Sequence, residues 1–213
     1  MSSPAIAKTC GPGRPKDLEK RAAIMDAAKR LFTTQGFDGT SMDAIANAAG
    51  VSKLTVYSHY QDKERLFSAA VACVCQEQMP SEIFTADLKG PLREQLLTIA
   101  RAFFALITSE EALAVHRTII ANARQSPKLA ELFWEAGPKR TQEGFEAFLR
   151  AEVGAGKLEI ADLHRAASQF FCLLKGECHA RMEFGCGEPL TQREIDEHLS
   201  ATVDVFLRAY APL

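Results

Sequence analysis

The segment 36–67, GFDGTSMDAIANAAGVSKLTVYSHYQDKERLF, constrains the fold more than any other part of the chain. Its apolar spacing predicts two short helices joined by a tight turn, followed by the start of a third helix. Thr40 or Ser41 caps the first short helix, since either hydroxyl can accept a hydrogen bond from a free N–H of the first turn. Gly50 supplies the left-handed residue that ends this helix, and Ser52 caps the next one.

The second short helix has an apolar side and a polar side. Val51, Val56 and Tyr60 can face inward at helical spacing. The polar residues that remain for the outer side are Lys53, Thr55, Tyr57, Ser58 and His59. Small core residues, a glycine turn and a polar outer side are what a helix-turn-helix needs to place its second helix in a DNA major groove.

Four groups of residues in the first third of the chain form one ordered pattern. They are Leu31-Phe32-x3-Gly36-Phe37, Thr40-Ser41, Gly50-Val51-Ser52-Lys53-x-Thr55-Val56-Tyr57-x-His59-Tyr60 and Lys63-Glu64-x-Leu66-Phe67. This pattern resembles the DNA-binding domain of the TetR/AcrR family of transcriptional regulators, and the match extends over residues 18–67. One position departs from it, because the family commonly has glycine where this chain has Leu54. The resemblance implies a DNA-binding transcriptional regulator.

A second pattern lies in the C-terminal half: Arg117, Arg124-x2-Pro127-x-Leu129, Phe133, Gly137-Pro138 and Gly156-x-Leu158-x3-Asp162. It resembles the ligand-binding and dimerisation domain of the same family, in its AefR-like branch. The resemblance implies a helical domain that binds a small molecule and forms a homodimer. Such domains diverge widely, so the ligand does not carry over.

The local signals along the whole chain are helical, and no run of alternating β-branched residues predicts a sheet. We expect an all-α fold of about nine helices. The first helix begins near Asp17 or Leu18 and ends at Gly36. The expected domains are a flexible basic arm at 1–17, a three-helix helix-turn-helix DNA-binding domain at 18–67 and a helical regulatory and dimerisation domain at 68–213.

Charge is distributed unevenly along the chain, whose net charge is −2. Residues 1–65 carry ten Lys and Arg against seven Asp and Glu, whereas residues 66–213 carry fifteen against twenty. The cationic part is the expected DNA-binding part. We expect a cytoplasmic protein that does not enter a membrane, since no signal peptide is visible and the apolar cluster 170–174 is too short to span a bilayer.

The candidate DNA-binding residues are those that the helix-turn-helix presents or caps. Lys53 is placed to reach a guanine edge or a phosphate. Thr55 can present its methyl group to a thymine or its hydroxyl to a phosphate. The resemblance implies phosphate contacts by Tyr57, by Thr40 at a helix N-terminus and by Lys63. The full set is Arg14, Thr40, Ser41, Ser52, Lys53, Thr55, Tyr57, His59 and Lys63. Arg14, in Gly13-Arg14-Pro15, resembles an AT-hook core for a minor groove, or it belongs to a tail that adds nonspecific attraction.

Aromatic and soft side chains on the C-terminal helices are candidates to line an apolar cavity for an apolar or amphipathic ligand. They are Phe103, Phe104, Phe133, Trp134, Phe170 and Met182, with His116, Arg117 or His179 as the polar group that orients the ligand. The alternative for each aromatic residue is a place in the ordinary core. No cofactor is expected.

The last two predicted helices, at about 162–184 and 191–210, carry broad apolar faces. The resemblance implies a four-helix interface between two subunits, two helices from each. The candidate interface residues are Phe171, Leu174, Ile195, Leu199, Val203 and Phe206. The alternative is that both helices pack on the preceding ones. A homodimer implies a palindromic operator in double-stranded DNA.

Six cysteines raise a metal or redox alternative, in which Cys172 or Cys178 acts as a thiol- or metal-responsive switch. Cys73 and Cys75 are two apart on a helix, so they point in different directions and do not make a zinc pair. We predict no metal site and reduced, buried thiols. An enzyme is excluded, since the chain has no Gly-rich phosphate loop, Gly-x-Ser-x-Gly or His-Glu-x-x-His. We expect a dimeric repressor that a small-molecule ligand releases from its palindromic operator, and a ligand-independent repressor or an activator stays open.

Overall fold

The computed structural model describes residues 14–85, 90–186 and 190–212, with side chains from Asp17 onward. Over these residues the chain contains helices and no strand, so the all-α prediction is confirmed. The helices are α1 Arg14–Gly39, α2 Met42–Ala48, α3 Lys53–Tyr60, α4 Lys63–Gln78, a 3-10 turn Ser81–Phe84, α5 Leu92–Thr108, α6 Glu110–Asn122, α7 Pro127–Ala136, α8 Pro138–Gly154, α9 Leu163–Phe184 and α10 Gln192–Tyr210.

The chain divides into two compact units between Phe67 and Ser68. We call them the head unit, which ends at Phe67, and the C-terminal unit, which begins at Ser68. Among the described residues, no helix has both the length and the apolar character that crossing a bilayer requires.

The head unit is organised around α1. This helix begins at Arg14, so residues 14–17 are helical where the sequence predicted an arm. Proline does not prevent this, because Pro15 lies in the first turn, where a missing N–H breaks no helical hydrogen bond. Gly36, at φ 72°, interrupts the helix at the predicted position. Phe32 packs edge-on against Phe67 with ring centroids 5.3 Å apart.

The C-terminal unit has a core rich in phenylalanine between α5, α8, α9 and α10. Phe145 is fully buried, and its ring lies 4.7 Å from that of Phe170 and 5.2 Å from that of Phe171. Phe206 of α10 packs edge-on against Phe170 at 5.0 Å. Each buried aromatic side chain contributes about 1.5–3 kcal/mol, so this cluster is a main source of the unit's stability.

Five of the six residues predicted for a subunit interface belong to this core and not to the surface. Phe171, Leu174, Leu199, Val203 and Phe206 are 7% exposed or less within one subunit. Ile195 is partly buried and packs against the same core. The interface assignment is therefore wrong for the five buried residues, because their own unit covers them, and it stays a prediction for Ile195. The apolar side chains that both helices leave exposed are different ones: Leu173, Phe184 and Val205.

A break in α9 lies at Gly176, which has φ 50° and ψ −159°. His198 of α10 fills the break, with its Nε2 donating to the carbonyl oxygen of Leu174 over 2.9 Å. A Cβ atom at position 176 would lie 3.1 Å from His198 Cε1. Only glycine fits here without strain, because the backbone is left-handed and the histidine ring lies against it.

Candidate nucleic-acid interface and ligand site

Two serines define the starts of the short helices. Ser41 is the N-cap of α2, and its hydroxyl accepts from the Ala44 N–H over 3.0 Å. Ser52 is the N-cap of α3 and accepts from the Thr55 N–H over 3.2 Å. Gly50 turns the chain between them with φ 65°. The predicted helix-turn-helix is present, and of the two predicted caps for α2 the structure selects Ser41.

The sides of α3 largely match the predicted pattern. Val56 and Tyr60 are buried in the head unit, as expected from their spacing. The exposed residues are Ser52, Lys53, Leu54, Tyr57 and Ser58, and Thr55 is half-buried with its hydroxyl 2.8 Å from that of Ser52. Leu54 is the residue that sequence reasoning missed as a surface group, with 79% of its surface exposed. Together these exposed residues form a continuous polar face with one leucine in it, which we call the α3 face.

Lys53 is held by an acidic residue of the preceding helix. Its ammonium lies 2.8 Å from Oδ1 and 2.9 Å from Oδ2 of Asp43, and it also lies 5.9 Å from the Tyr57 ring centroid. The hydrogen bond with Asp43 raises the pKa of Lys53, which keeps the side chain charged. The cation is thus presented at the first turn of α3 in a defined orientation.

Thr40 does not present its side chain to a phosphate in this structure. It is 1% exposed, and its hydroxyl donates to the carbonyl oxygens of Gly36 at 2.7 Å and Leu31 at 3.1 Å. The hydroxyl satisfies carbonyl groups that the interruption of α1 leaves without helical partners. The predicted phosphate contact by this side chain is contradicted, because the hydroxyl joins α1 to the start of α2.

Lys63 has a similar internal role. Its ammonium donates to the carbonyl oxygens of Phe37 at 2.9 Å and Thr40 at 3.1 Å, and it lies 4.2 Å above the Phe37 ring. Two of its three N–H groups are therefore committed to the α1–α2 connection. These two bonds anchor the first turn of α4 to that connection, and the phosphate contact by Lys63 stays a prediction.

His59 is turned toward α1. Its side chain is 14% exposed, and Nε2 lies 3.2 Å from Oδ1 of Asp17. Its assignment to the outer side of α3 is therefore wrong, because α1 covers this edge of the short helix.

Arg14 lies in the first turn of α1, whereas one expectation was an extended arm for the minor groove. The side chain of Arg14 is outside the described part of the structure.

A polar cluster in the C-terminal unit joins α6 to the end of α9. His116 Nδ1 lies 2.5 Å from Glu183 Oε1. Arg117 donates from Nε to the carbonyl oxygen of Glu183 over 2.8 Å and from its guanidinium to that of Met182. The His116 ring is 6.2 Å from His179 and 6.1 Å from Phe133. The structure thus brings together four side chains named for a ligand site, those of His116, Arg117, Phe133 and His179, whereas Met182 contributes its backbone carbonyl oxygen.

His179 is the buried member of this α6–α9 cluster, with 8% exposure. Burial lowers its pKa, and the neighbouring Glu183 carboxylate opposes that effect. The neutral form, which has one ring donor and one ring acceptor, is therefore favoured at neutral pH. A backbone hydrogen bond with Ile107 already engages one nitrogen of the His179 ring, which leaves the other as an acceptor suited to a hydroxyl.

Four other residues named for the cavity lie elsewhere. Phe103, Phe104 and Phe170 are core residues, and the Phe103 ring lies 4.4 Å from that of Phe171. Trp134 is 54% exposed on α7. The alternative of an ordinary core applies to the three phenylalanines, since almost none of their surface is free to meet a ligand.

An open groove of 640 Å³ lies between α5 and α10, away from the residues predicted to line a cavity. Charged pairs cross it: Arg93 Nε lies 2.8 Å from Asp204 Oδ1, and Arg101 Nε lies 3.6 Å from Asp196 Oδ1. The lining also includes Glu94 and Glu197, so four carboxylates face two arginines and the groove is acidic overall.

The cysteines of the described residues are all free thiols. Burial raises the pKa of Cys75 to about 11, which disfavours the reactive thiolate. Cys172 is exposed and Cys178 is half-buried on α9. Among the described residues, no group of three or more His, Cys, Asp or Glu comes together in a way that could hold a metal ion.

Comparison with known proteins agrees with this geometry. Residues 24–70 match the profile of bacterial regulatory proteins of the tetR family, and residues 94–212 match that of the AefR-like transcriptional repressor C-terminal domain. The second match alone covers more than half of the chain, so the chain belongs to the TetR family of transcriptional regulators. The members of this family are regulators and not enzymes, which confirms that part of the sequence analysis.

Individual relatives share the whole fold or the head alone. A TetR-family regulator from Mesorhizobium loti is 30% identical, with a TM-score of 0.79 over 93% of this chain and 100% of that one. The flavonoid-responsive regulator FrrA is 35% identical, with a TM-score of 0.71 over 91% of this chain and 97% of FrrA. The regulator AcrR of Shigella flexneri is 50% identical over 50 residues, which are 24% of this chain and 23% of AcrR.

Proposed function

We propose that the protein is a dimeric transcriptional repressor that binds a palindromic operator through α3 and is released by a small aromatic ligand. The observation that carries the DNA part is the α3 face, on which Lys53, Tyr57 and Ser58 are exposed while Val56 and Tyr60 hold the helix in the head unit. Cationic and hydroxyl groups at this position can bind base edges and phosphates of a major groove. The match of residues 24–70 to the tetR family supports the same assignment.

The dimer is proposed to form through the exposed sides of α9 and α10. Leu173 is 45% exposed and Val205 is 51% exposed, and Ala201 and Ala209 extend the apolar row on α10 at helical spacing. Small and branched side chains in such a row let two helices pack closely. A four-helix interface built on this row replaces the one predicted from the sequence, and a stable interface buries at least about 1,000 Å² in total.

The α6–α9 cluster is proposed as the polar end of the ligand site. Its imidazole and carboxylate groups suit a phenolic hydroxyl, and Phe133 supplies an aromatic wall next to His116. FrrA, which is 35% identical over nearly the whole chain, is described as flavonoid-responsive. We therefore propose a flavonoid or a similar planar phenol as the ligand class. By linkage, such a ligand must bind the DNA-bound form less tightly than the free form.

Selection from random duplexes tests the DNA part. Duplexes enriched by the purified full chain should contain an inverted repeat, and fluorescence anisotropy should show salt-dependent binding. Lys53→Ala should weaken binding to the selected duplex, whereas the matched control Lys139→Ala, which removes a lysine paired with Glu135 in the other unit, should leave it unchanged. Failure to enrich any sequence, or equal effects of both substitutions, would refute the assignment of α3.

Thermal unfolding with a panel of flavonoids tests the ligand part. A flavonoid that binds should raise the unfolding temperature of the wild type and release the selected duplex. The variant His116→Phe keeps an aromatic ring but loses the hydrogen bond to Glu183, so it should lose both responses. A panel that neither stabilises the protein nor releases DNA would remove flavonoids as the ligand class.

A further inference from the structure

Leu54 is an exposed apolar side chain in a place where nothing of the head unit covers it. It has 79% of its surface exposed, and it is the second residue of α3, two positions after the cap Ser52. A leucine contributes to stability mainly when it is buried, so at this position it adds almost nothing to the fold. A contact partner outside the chain would give the side chain a role.

The residues around Leu54 indicate which surface that partner has. Lys53 precedes it with an ammonium that is paired with Asp43 over 2.8 Å, and Tyr57 and Ser58 are exposed one turn later on the same helix. Because residues four apart on a helix are neighbours, Ser58 lies beside Leu54 on the surface. A single apolar group among an ion pair and two hydroxyls fits a surface that is mainly polar and carries isolated apolar groups.

The major groove of DNA has that character. Its floor presents hydrogen-bond donors and acceptors, and the C5-methyl of thymine is the apolar group among them. The first residues of a recognition helix are the ones that reach the base edges. Leucine has no hydrogen-bonding group, so the thymine methyl is the complementary feature for it.

We propose that Leu54 is a specificity-determining residue that packs on the C5-methyl of one thymine in each operator half-site. The proposal rests on the proposed function, since it requires α3 to enter the major groove. It adds a residue that binds no phosphate and reads one base by shape alone. Lys53 and Tyr57 supply affinity on either side of this contact, and Leu54 adds selectivity for thymine over cytosine at one position.

Deoxyuridine scanning tests this at the level of a single methyl group. Each thymine of the selected duplex is replaced in turn by deoxyuridine, which removes only the C5-methyl and keeps every hydrogen-bonding group. We expect the wild type to lose about three- to tenfold in affinity at one thymine per half-site, the scale of one buried methyl contact. Leu54→Ala should bind the unmodified duplex more weakly by a similar factor and should be insensitive to deoxyuridine at that position.

The variant Leu54→Met is the control for side-chain size, since it keeps an apolar group of similar volume and should keep most of the deoxyuridine effect. If deoxyuridine at each thymine lowers the affinity of Leu54→Ala by the same factor as that of the wild type, the proposal is wrong. The selected operator would still support the proposed function. If no duplex is selected at all, the proposed function fails first. If Leu54→Ala changes self-association in light scattering but leaves the sensitivity to deoxyuridine unchanged at every thymine, Leu54 makes contacts between copies of the chain. The proposal would then be overturned.

Discussion

Replacing Thr40 by valine separates a structural role from a DNA contact in the head unit. The Thr40 hydroxyl is buried and donates to the carbonyl oxygens of Gly36 and Leu31, at 2.7 and 3.1 Å. Valine has nearly the same shape, so the change removes the hydrogen bonding and leaves the packing volume unchanged. Losing one net hydrogen bond and leaving buried acceptors unsatisfied should lower the unfolding free energy of the head unit by about 1–2 kcal/mol.

Amide hydrogen exchange measured by mass spectrometry checks this magnitude. A loss of about 1–2 kcal/mol should make the protected amides of α1 and α2 exchange about five to thirty times faster, while those of the C-terminal unit stay unchanged. Thr40→Ser keeps the hydroxyl and serves as the control, with a smaller effect. The reasoning is refuted if Thr40→Val exchanges like the wild type and yet binds the selected duplex more weakly, because the hydroxyl would then act on DNA.

Three further outcomes follow from exposed and buried positions. Tyr57→Phe removes one exposed hydroxyl that can bond a phosphate. In anisotropy titrations it should therefore weaken binding to the selected duplex and to unrelated DNA alike, by about 1 kcal/mol. A loss of affinity confined to the selected duplex would contradict this. Val205→Glu should give a folded monomer in light scattering, whereas Phe206→Glu should unfold the C-terminal unit, because Phe206 is 1% exposed in its own subunit. Burial lowers the pKa of His179 in the folded state below its unfolded value of about 6.5. Between the folded and the unfolded pKa the unfolded state binds more protons, so the free energy of unfolding should fall as the pH drops below about 6.5. Thermal scans of His179→Gln should show a weaker acid dependence, and an identical pH profile would contradict the assignment.

Local sequence signals account for the helix-turn-helix but not for the orientation of every polar residue on it. Ser52, Gly50 and the inward pair Val56 and Tyr60 follow from capping rules and helical spacing, and the structure shows them as expected. The orientation of His59 could not be predicted in the same way, because α1 covers one edge of α3 and offers Asp17 as a partner. His59 and Asp17 are far apart in sequence, and a local sequence pattern does not predict such a contact.

The C-terminal unit shows a different limit of sequence reasoning. An apolar stripe on a helix indicates that the stripe is covered, but it does not distinguish a subunit's own core from a partner or a ligand. Phe170 and Phe206 pack against each other inside one unit, although the sequence assigned them to a cavity and an interface. Which apolar residues stay exposed, Leu173 and Val205 among them, is seen only once the unit has packed around Phe170 and Phe206.

The proposed function requires that α3 reads a two-fold symmetric site as part of a dimer. The most direct measurement is the selection of binding sites by the wild type and by Lys53→Ala under identical salt. The wild type is expected to enrich an inverted repeat whose half-site centres lie about 10–10.5 base pairs apart or at a multiple of that spacing. Lys53→Ala is expected to enrich it far less or with relaxed preference at one position per half-site. Enrichment of an asymmetric sequence, or of the same repeat to the same extent by both proteins, would contradict the claim.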